Sequence, residues 1–325
     1  MSSAPLLVTG AAGFIGARYV ESCNARGTPV VSVDLAAHFE ERRELGGVDF
    51  GRIVDRRELF ERLADGDVAP AAIVHLGACS STTETRVDYL NEVNVAYSQR
   101  LWEYATARRI PMVYASSAAT YGDGAQGFED DEARMPKLQP LNPYGQSKLD
   151  FDLWVLEQER LGRTPPAWAG FKFFNVYGYG ERHKGSQASV VVHAFDQIRA
   201  DGRLRLFRSH RDGIADGQQS RDFVYVGDVV DVLHFALAAP IPRGIFNLGT
   251  GRARSFLDLA RAVFAALGRE EAIDWIPTPE AIRDKYQYFT EASMDRLRAE
   301  GWQEPFTELE EGVRRTVQRL REAAH

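Results

Sequence analysis

The chain has 325 residues, 44% of them hydrophobic, enough to bury a substantial core in one large domain or two. Its formal net charge of -7 and pI near 5.6 exclude the clustered basic surface that a nucleic acid or an anionic membrane requires of a partner. Two cysteines, Cys23 and Cys79, exclude a disulfide scaffold and lack metal-ligand spacing, so no metal is expected.

The run Met1 to Val8 has no cationic start, and no apolar stretch approaches the roughly 18 residues that span a bilayer, which points to the cytoplasm. Leu6-Leu7-Val8 reads as a short buried strand, Phe14 to Arg26 as a helix and Pro29 to Asp34 as a second strand. Further apolar runs at Ala71 to Val74, Pro111 to Tyr114 and Phe171 to Phe174 are separated by helix-length segments such as Tyr89 to Arg108. This alternation predicts an α/β fold, a Rossmann-like doubly wound parallel sheet. The acidic stretch Glu129-Asp130-Asp131-Glu132, followed by Pro136, Pro140 and Pro143, reads as a solvated connection into the next helix. After Asn175 the pattern loosens into loops, short helices and isolated strands, which fits a smaller, mainly C-terminal substrate-binding domain. The expected division is 1–174 plus about 220–250 for the dinucleotide, and about 175–219 plus 251–325 for the substrate. Ser255 with Asp258, and Thr307 with Glu310, have the spacing to cap the helices carrying Leu259, Val263, Phe264 and Leu267, and Leu309, Val313, Val317 and Leu320.

Gly10-Ala11-Ala12-Gly13-Phe14-Ile15-Gly16 sits between a strand and a helix, the context a dinucleotide-binding turn requires. Gly10 permits the tight turn, Gly13 lets backbone N–H groups approach a pyrophosphate, and Gly16 allows close helix-strand packing. Asp34 ends the second strand, where a carboxylate accepts hydrogen bonds from an adenosine ribose and favours NAD, whereas His38, Arg42 and Arg43 are suited to a 2′-phosphate. Asp55 is placed to contact adenine, and Leu76-Gly77-Ala78-Cys79-Ser80 to line the ribose and phosphate path, with Cys79 a small packing residue rather than a nucleophile. Tyr144-Gly145-Gln146-Ser147-Lys148 puts a phenol and an ammonium four residues apart, on one face of a helix. A nearby cation favours the phenolate and makes such a tyrosine a usable proton carrier.

With the glycine triplet, Ser117, Tyr144 and Lys148, the chain resembles the extended short-chain dehydrogenases/reductases, in which serine, tyrosine and lysine act together beside a nicotinamide. More specific segments are Cys79-Ser80-Ser81-Thr82-Thr83-Glu84, Phe174-Asn175-Val176-Tyr177-Gly178, His183-Lys184-Gly185-Ser186, Arg221 to Asp228 and Phe246 to Gly251. Together these resemble the ADP-L-glycero-D-manno-heptose 6-epimerase family over nearly the whole chain. That resemblance implies transient oxidation and re-reduction at C6″ of an ADP-heptose with bound NADP, or NAD, in the supply of inner-core heptose for lipopolysaccharide. It assigns Tyr144 and Lys184 as the two acid/bases, with Ser117 and Lys148 assisting. Leu35, Asn94, Val176 and Lys184, with the glycine turn, Phe14 and Ile15, are implied at the cofactor. Ser80, Ser117, Asn175, Ser186, His193, Leu206, Phe207, Arg208, Ser209, Arg221 and Tyr286 are implied at the substrate. A homo-oligomer is implied as well, a pentamer by resemblance alone. In two places the chain departs from the family. His38 or the later arginines stand where the family carries a lysine after the second strand, and Tyr179-Gly180-Glu181-Arg182 replaces a proline-arginine continuation. Rival readings are UDP-galactose 4-epimerase, which leaves His183 to Ser186 unexplained, a 4,6-dehydratase, which would want an acidic pair near Ala118-Ala119, and a non-catalytic nucleotide sensor.

Overall fold

The computed structural model describes residues 4–40, 43–238, 243–283 and 286–323; Arg42 and residues 1–3 lie outside it, as does the Arg43 side chain. Its strands are β1 Leu6–Thr9, β2 Val30–Asp34, β3 Arg52–Asp55, β4 Ala72–His75, β5 Met112–Ser117, β6 Trp168–Phe173, β7 Asn175–Tyr177, β8 Leu204–Phe207, β9 Ser220–Tyr225, β10 Gly244–Leu248, β11 Ala253–Ser255 and β12 Ile273–Ile276. Seven of them form one sheet in the order β10-β6-β5-β4-β1-β2-β3, and every pairing in it is parallel. A parallel sheet needs helices on both faces, which is why its strands read as unbroken apolar runs instead of alternating ones. The strand order reverses at β1, between β2 and β4, and that reversal opens a crevice at the carboxyl ends of the strands. Thr9, Asp34, His75 and Ser117 are the last residues of their strands, so all four stand at this crevice.

A second core forms where the helices Val190–Asp201, Phe256–Leu267 and Leu309–Glu322 pack together, with Val191, Phe195, Val263, Phe264, Val313 and Val317 buried among them. Each such side chain contributes roughly 1.5–3 kcal/mol through the apolar area it removes from water. Small sheets flank this core, β11-β9-β7 and β12-β8. The expectation of loose structure after Asn175 is therefore corrected by two helices, Val190–Asp201 and Val226–Ala238. The second of these packs back on the first core through Val229, Val232 and Leu233, and its apolar run hid the helical period.

Ser255 and Asp258 form the expected capping box, with Ser255 Oγ accepting from Asp258 N at 3.0 Å and Asp258 accepting from Ser255 N at 3.2 Å. Thr307 does not cap the last helix, which begins at Leu309; its N–H and hydroxyl both donate to Asp228 instead. The acidic stretch is not merely solvated. Asp130 is buried and accepts from Asn247 N at 2.8 Å, while Glu132 accepts from Ile245 N at 2.8 Å. These two carboxylates take up donors on the outer edge of β10, a long-range partnership that a run of charges does not advertise. Among the described residues no helix is long and apolar enough to cross a membrane.

Candidate functional site

A cleft of about 1160 Å³ runs along the carboxyl ends of the strands and out to the second core. At its inner end the chain passes from β1 through the glycine turn into the helix Phe14–Ala25, whose N-terminus carries no side-chain cap. Gly16 has no room for a side chain, because a Cβ there would lie 2.0 Å from Gly10 O. The turn thus exposes backbone N–H groups at a helix N-terminus, the arrangement that holds a phosphate. Asp34 accepts from Ala12 N at 3.2 Å, Leu35 N at 2.8 Å and His38 Nδ1 at 2.9 Å, and Asp34, Leu35, His38 and Arg56 line this end together. Asp55 stands apart from the lining; Arg57 and Ala36 N hold its carboxylate and keep it well below the usual carboxylate range.

Leu76 to Ser80 form the floor of the cleft. Asn94 does not line it. Asn94 lies in a π-helical turn, Asn91–Ala96, and is fully buried. Its Oδ1 accepts from Cys79 N at 2.8 Å and its Nδ2 donates to Cys79 O at 3.0 Å and Ser147 Oγ at 2.9 Å. The wider turn aims this amide inward and ties the floor loop to the helix carrying Tyr144. Cys79, half-buried at the cleft, is thereby held by its backbone.

That helix runs Pro143–Arg160, with Asn142 capping it through Gly145 N at 2.8 Å and proline at its first position. Gly145 lets it approach the turn after β5, since a Cβ there would meet Ala119 O at 2.7 Å. Close approach brings the Tyr144 phenol into a hydrogen bond with Ser117, while Lys148 Nζ donates to Ala115 O at 2.8 Å. Burial pushes the Tyr144 phenol up, with the Ser117 bond opposing it. The expected lowering by Lys148 is therefore not the governing influence here. Lys148 is itself pulled down by burial to about 8, and Asp152 is the leading influence against that fall.

Lys184 enters the cleft from the segment Arg182–Gln187, its Nζ 4.4 Å from the centre of the Phe14 ring and 3.5 Å from Glu181 Oε2. Glu181 is buried and accepts from Gly178 N at 3.1 Å, Ser189 N at 3.0 Å and Ser189 Oγ at 2.7 Å, so one carboxylate anchors the whole segment. Asn175, Val176 and Ser186 line the same stretch.

At the outer end Arg221 is buried between the rings of Phe256, 5.6 Å away, and Tyr286, 5.5 Å away. It donates to the carbonyls of Ser220 and Gln287, and burial draws it down to about 10. A guanidinium held by carbonyls and aromatic faces instead of a carboxylate keeps its charge available to an anion in the cleft. Leu206, Phe207, Arg208 and Ser209 lie behind this end without lining it: Leu206 belongs to the second core, Arg208 pairs with Asp216 and Ser209 N donates to Asp216. His193 sits on the helix Val190–Asp201, also outside the lining. Sequence reasoning passed over Arg56, Glu181, Asp152 and Lys172. The readable signal was helical spacing, Asp152 following Lys148 as Lys148 follows Tyr144.

Residues 6–249 match the NAD dependent epimerase/dehydratase family. A protein of Nitratidesulfovibrio vulgaris strain DP4, named ADP-L-glycero-D-manno-heptose-6-epimerase, is 46% identical over 321 residues, 98% of each chain. One of the same name from Fusobacterium nucleatum subsp. nucleatum is 42% identical over 324 residues, covering 96% of this chain and 97% of its own. Among solved structures, the Helicobacter pylori ADP-L-glycero-D-manno-heptose-6-epimerase superposes with a TM-score of 0.82 at 25% identity, covering 98% of this chain and 97% of that one. A Thermus thermophilus UDP-glucose 4-epimerase in complex with NAD gives 0.77 at 28% identity, with 98% and 99% covered. The chain belongs to the NAD dependent epimerase/dehydratase family, with relatives named ADP-L-glycero-D-manno-heptose-6-epimerase along nearly its full length.

Proposed function

We propose that this protein is an ADP-glyceromanno-heptose 6-epimerase that interconverts the D-glycero and L-glycero forms of ADP-β-D-manno-heptose at C6″. The observation that carries the reading is the convergence of Tyr144, Ser117, Lys148 and Lys184 on one cleft that also holds the glycine turn and Arg221. An NAD(P) dinucleotide suits that turn, since backbone packs against Gly10 and Gly16 too closely for a Cβ and the helix that follows has an uncapped N-terminus to offer a phosphate. Gly13 to Gly16, Asp34 and Leu76 to Ser80 would hold it. We take NADP as the form used, because His38 and Arg56 stand beside Asp34 where a 2′-phosphate would need positive charge. Residues 1–174 with about 220–250 are read as the dinucleotide-binding part and the remainder as the substrate-binding part, with Ala292, Met294, Leu297 and Trp302 packed into the first core and Phe223 into the second. A cytoplasmic setting and a homo-oligomer complete the reading.

Bound in the cleft, the nicotinamide supplies reversible hydride transfer, so a carbinol can be oxidised and then reduced from its other face with no net redox change. Direct C–H deprotonation has no adjacent carbonyl to stabilise the carbanion, and is ruled out on that ground. Tyr144 carries the hydroxyl proton of one epimer, Ser117 orients the reacting oxygen, and Lys148 supplies the positive charge that favours the phenolate. Lys184 carries the proton of the other epimer, because one fixed phenol cannot stay within hydrogen-bond reach of the oxygen in both poses. Arg221 binds the diphosphate.

Incubating the purified protein with the ADP-D-glycero epimer, without added reductant, should give the L-glycero epimer by NMR. No conversion by cofactor-loaded protein would sink the assignment. Tyr144→Phe and Lys184→Met should each slow turnover about 10²–10⁴-fold with the dinucleotide still bound. Near-normal turnover by Lys184→Met would remove the second base.

A further inference from the structure

Asp152 and Lys172 form a fully buried ion pair at 2.6 Å, directly beneath the candidate site. Asp152 lies one helical turn beyond Lys148, as Lys148 lies one turn beyond Tyr144. Its Oδ2 accepts from Ser116 Oγ at 2.7 Å as well as from Lys172, and its Oδ1 accepts from Tyr114 OH at 3.1 Å. Lys172 Nζ donates also to Thr120 Oγ1 at 2.9 Å, and Thr120 Oγ1 donates to Ser117 O at 2.8 Å. The network thus touches the strand residues on either side of Lys148's own acceptor, Ala115 O.

Two further observations speak against a pair kept only for stability. A buried ion pair is weak evidence for stability, since well-packed apolar residues in its place are often neutral or stabilising. Composition supplies the other: of 39 basic side chains in this chain only five are lysines, so arginine is the cation used by default. Lys137 is exposed and Lys285 lies outside the described residues, while Lys148 and Lys184 line the cleft and Lys172 pairs with Asp152. A guanidinium would grip Asp152 with a planar fork, whereas a single ammonium divides itself between Asp152 and Thr120.

We propose that Asp152, clamped by Lys172, is a positioning residue for the reaction, its carboxylate keeping the Lys148 side chain an ammonium and so keeping the Tyr144 phenol usable as a proton carrier. The inference rests on reading Tyr144 and Lys148 as the acid/base pair. The ionisable groups around Lys148 are Tyr144 and Asp152 on its own helix, Tyr114 on β5, Lys172 on β6, His75 on β4 and Cys79 in the loop after it. Asp152 is the foremost of them in sustaining the charge, for burial drives Lys148 toward the neutral amine and Asp152 opposes it. Its anion also disfavours the Tyr144 phenolate, but there it is the least of the causes.

The scarcity of lysine makes the test direct. Protein labelled with carbon-13 at the lysine ε-carbons, carrying its bound dinucleotide, gives few signals, and Lys148 is assigned from the one missing in Lys148→Met. Asp152→Asn should lower the Lys148 titration midpoint by about one pH unit, a tenfold loss of proton affinity. The alkaline limb of kcat for ADP-heptose epimerisation should fall to lower pH by the same amount. If Asp152→Asn does not fold, Asp152→Ser, which likewise removes only the carboxylate, carries the same expectation. A midpoint unmoved in folded variants, with kcat lowered evenly at every pH, means a structural pair and overturns the proposal. A moved midpoint with an unmoved limb overturns its catalytic half. Absence of turnover in the unsubstituted enzyme instead defeats the assigned activity, and the titration still decides whether Asp152 sets the Lys148 charge.

Discussion

Lys148→Met should abolish turnover and make the protein more stable. Lys148 is 5% exposed, and burial lowers it from 10.5 to about 8. Sign follows from the folded value lying below the unfolded one: at neutral pH the group is charged in both states, and folding bears the full cost of burying the charge. A fall from 10.5 to about 8 corresponds to about 3 kcal/mol against the folded state. Methionine fills a similar volume without that cost, but forfeits the hydrogen bond to Ala115 O, worth about 1 kcal/mol. The expected gain is therefore about 2 kcal/mol at about pH 7. Above 8 the folded state loses its proton first, so the gain shrinks as the pH rises and is spent by about pH 10. Urea unfolding of dinucleotide-stripped protein, followed by tryptophan fluorescence at both pH values, measures this free of ligand stabilisation. A variant destabilised by about 1 kcal/mol or more at neutral pH, or one with the same gain at both, would falsify the reasoning.

Gly16→Ala would press a methyl group to 2.0 Å from Gly10 O, so it should cost about 1–3 kcal/mol of stability and reduce dinucleotide affinity at least tenfold, read by thermal unfolding and fluorescence titration; retained affinity would show that the turn yields. His75 is buried between Thr9 Oγ1 and Ser98 Oγ, and burial lowers it to about 3. Its stabilising contribution is complete above about 6.5 and is lost as the pH falls toward 3, by at most about 4–5 kcal/mol, so His75→Gln should flatten the acid limb of a urea-midpoint series. Arg221→Lys keeps the charge but not the fork; it should weaken ADP binding about tenfold in calorimetry and leave dinucleotide affinity unchanged, and equal loss of both would place Arg221 elsewhere in the cleft.

What was legible in the sequence was local. The glycine turn announces itself because Gly10, Gly13 and Gly16 are needed within one turn of chain, and Tyr144 with Lys148 because helical spacing puts them on one face. Asp34 was legible as the end of a strand. Asp152 escaped because its partners come from β5 and β6, and a lone aspartate on a helix resembles any solvated one. Glu181 escaped for a different reason: its donors lie close by in the chain but are mostly backbone, the N–H groups of Gly178 and Ser189 with the Ser189 hydroxyl, and carry no sequence signature. Asp130 and Glu132 were misread as solvated because their partners, Asn247 and Ile245, lie more than a hundred residues away along the chain. Thr307 had the right spacing for a cap, but a buried carboxylate, Asp228, competed for its hydroxyl and won.

The carboxylates that occupy the rim of β10 also bear on how copies of this protein can meet. With Asp130 and Glu132 on its N–H groups and Arg296 on the carbonyl of Ile245, that side of the sheet offers no bare strand to a neighbour. The opposite side is different, for β3 ends the sheet with Ile53 half exposed and no strand beyond it among the described residues. Continuous pairing of the seven-stranded sheet from one copy to the next is thus closed at its β10 end, and that sheet can extend between copies only by a single pairing of β3 edges.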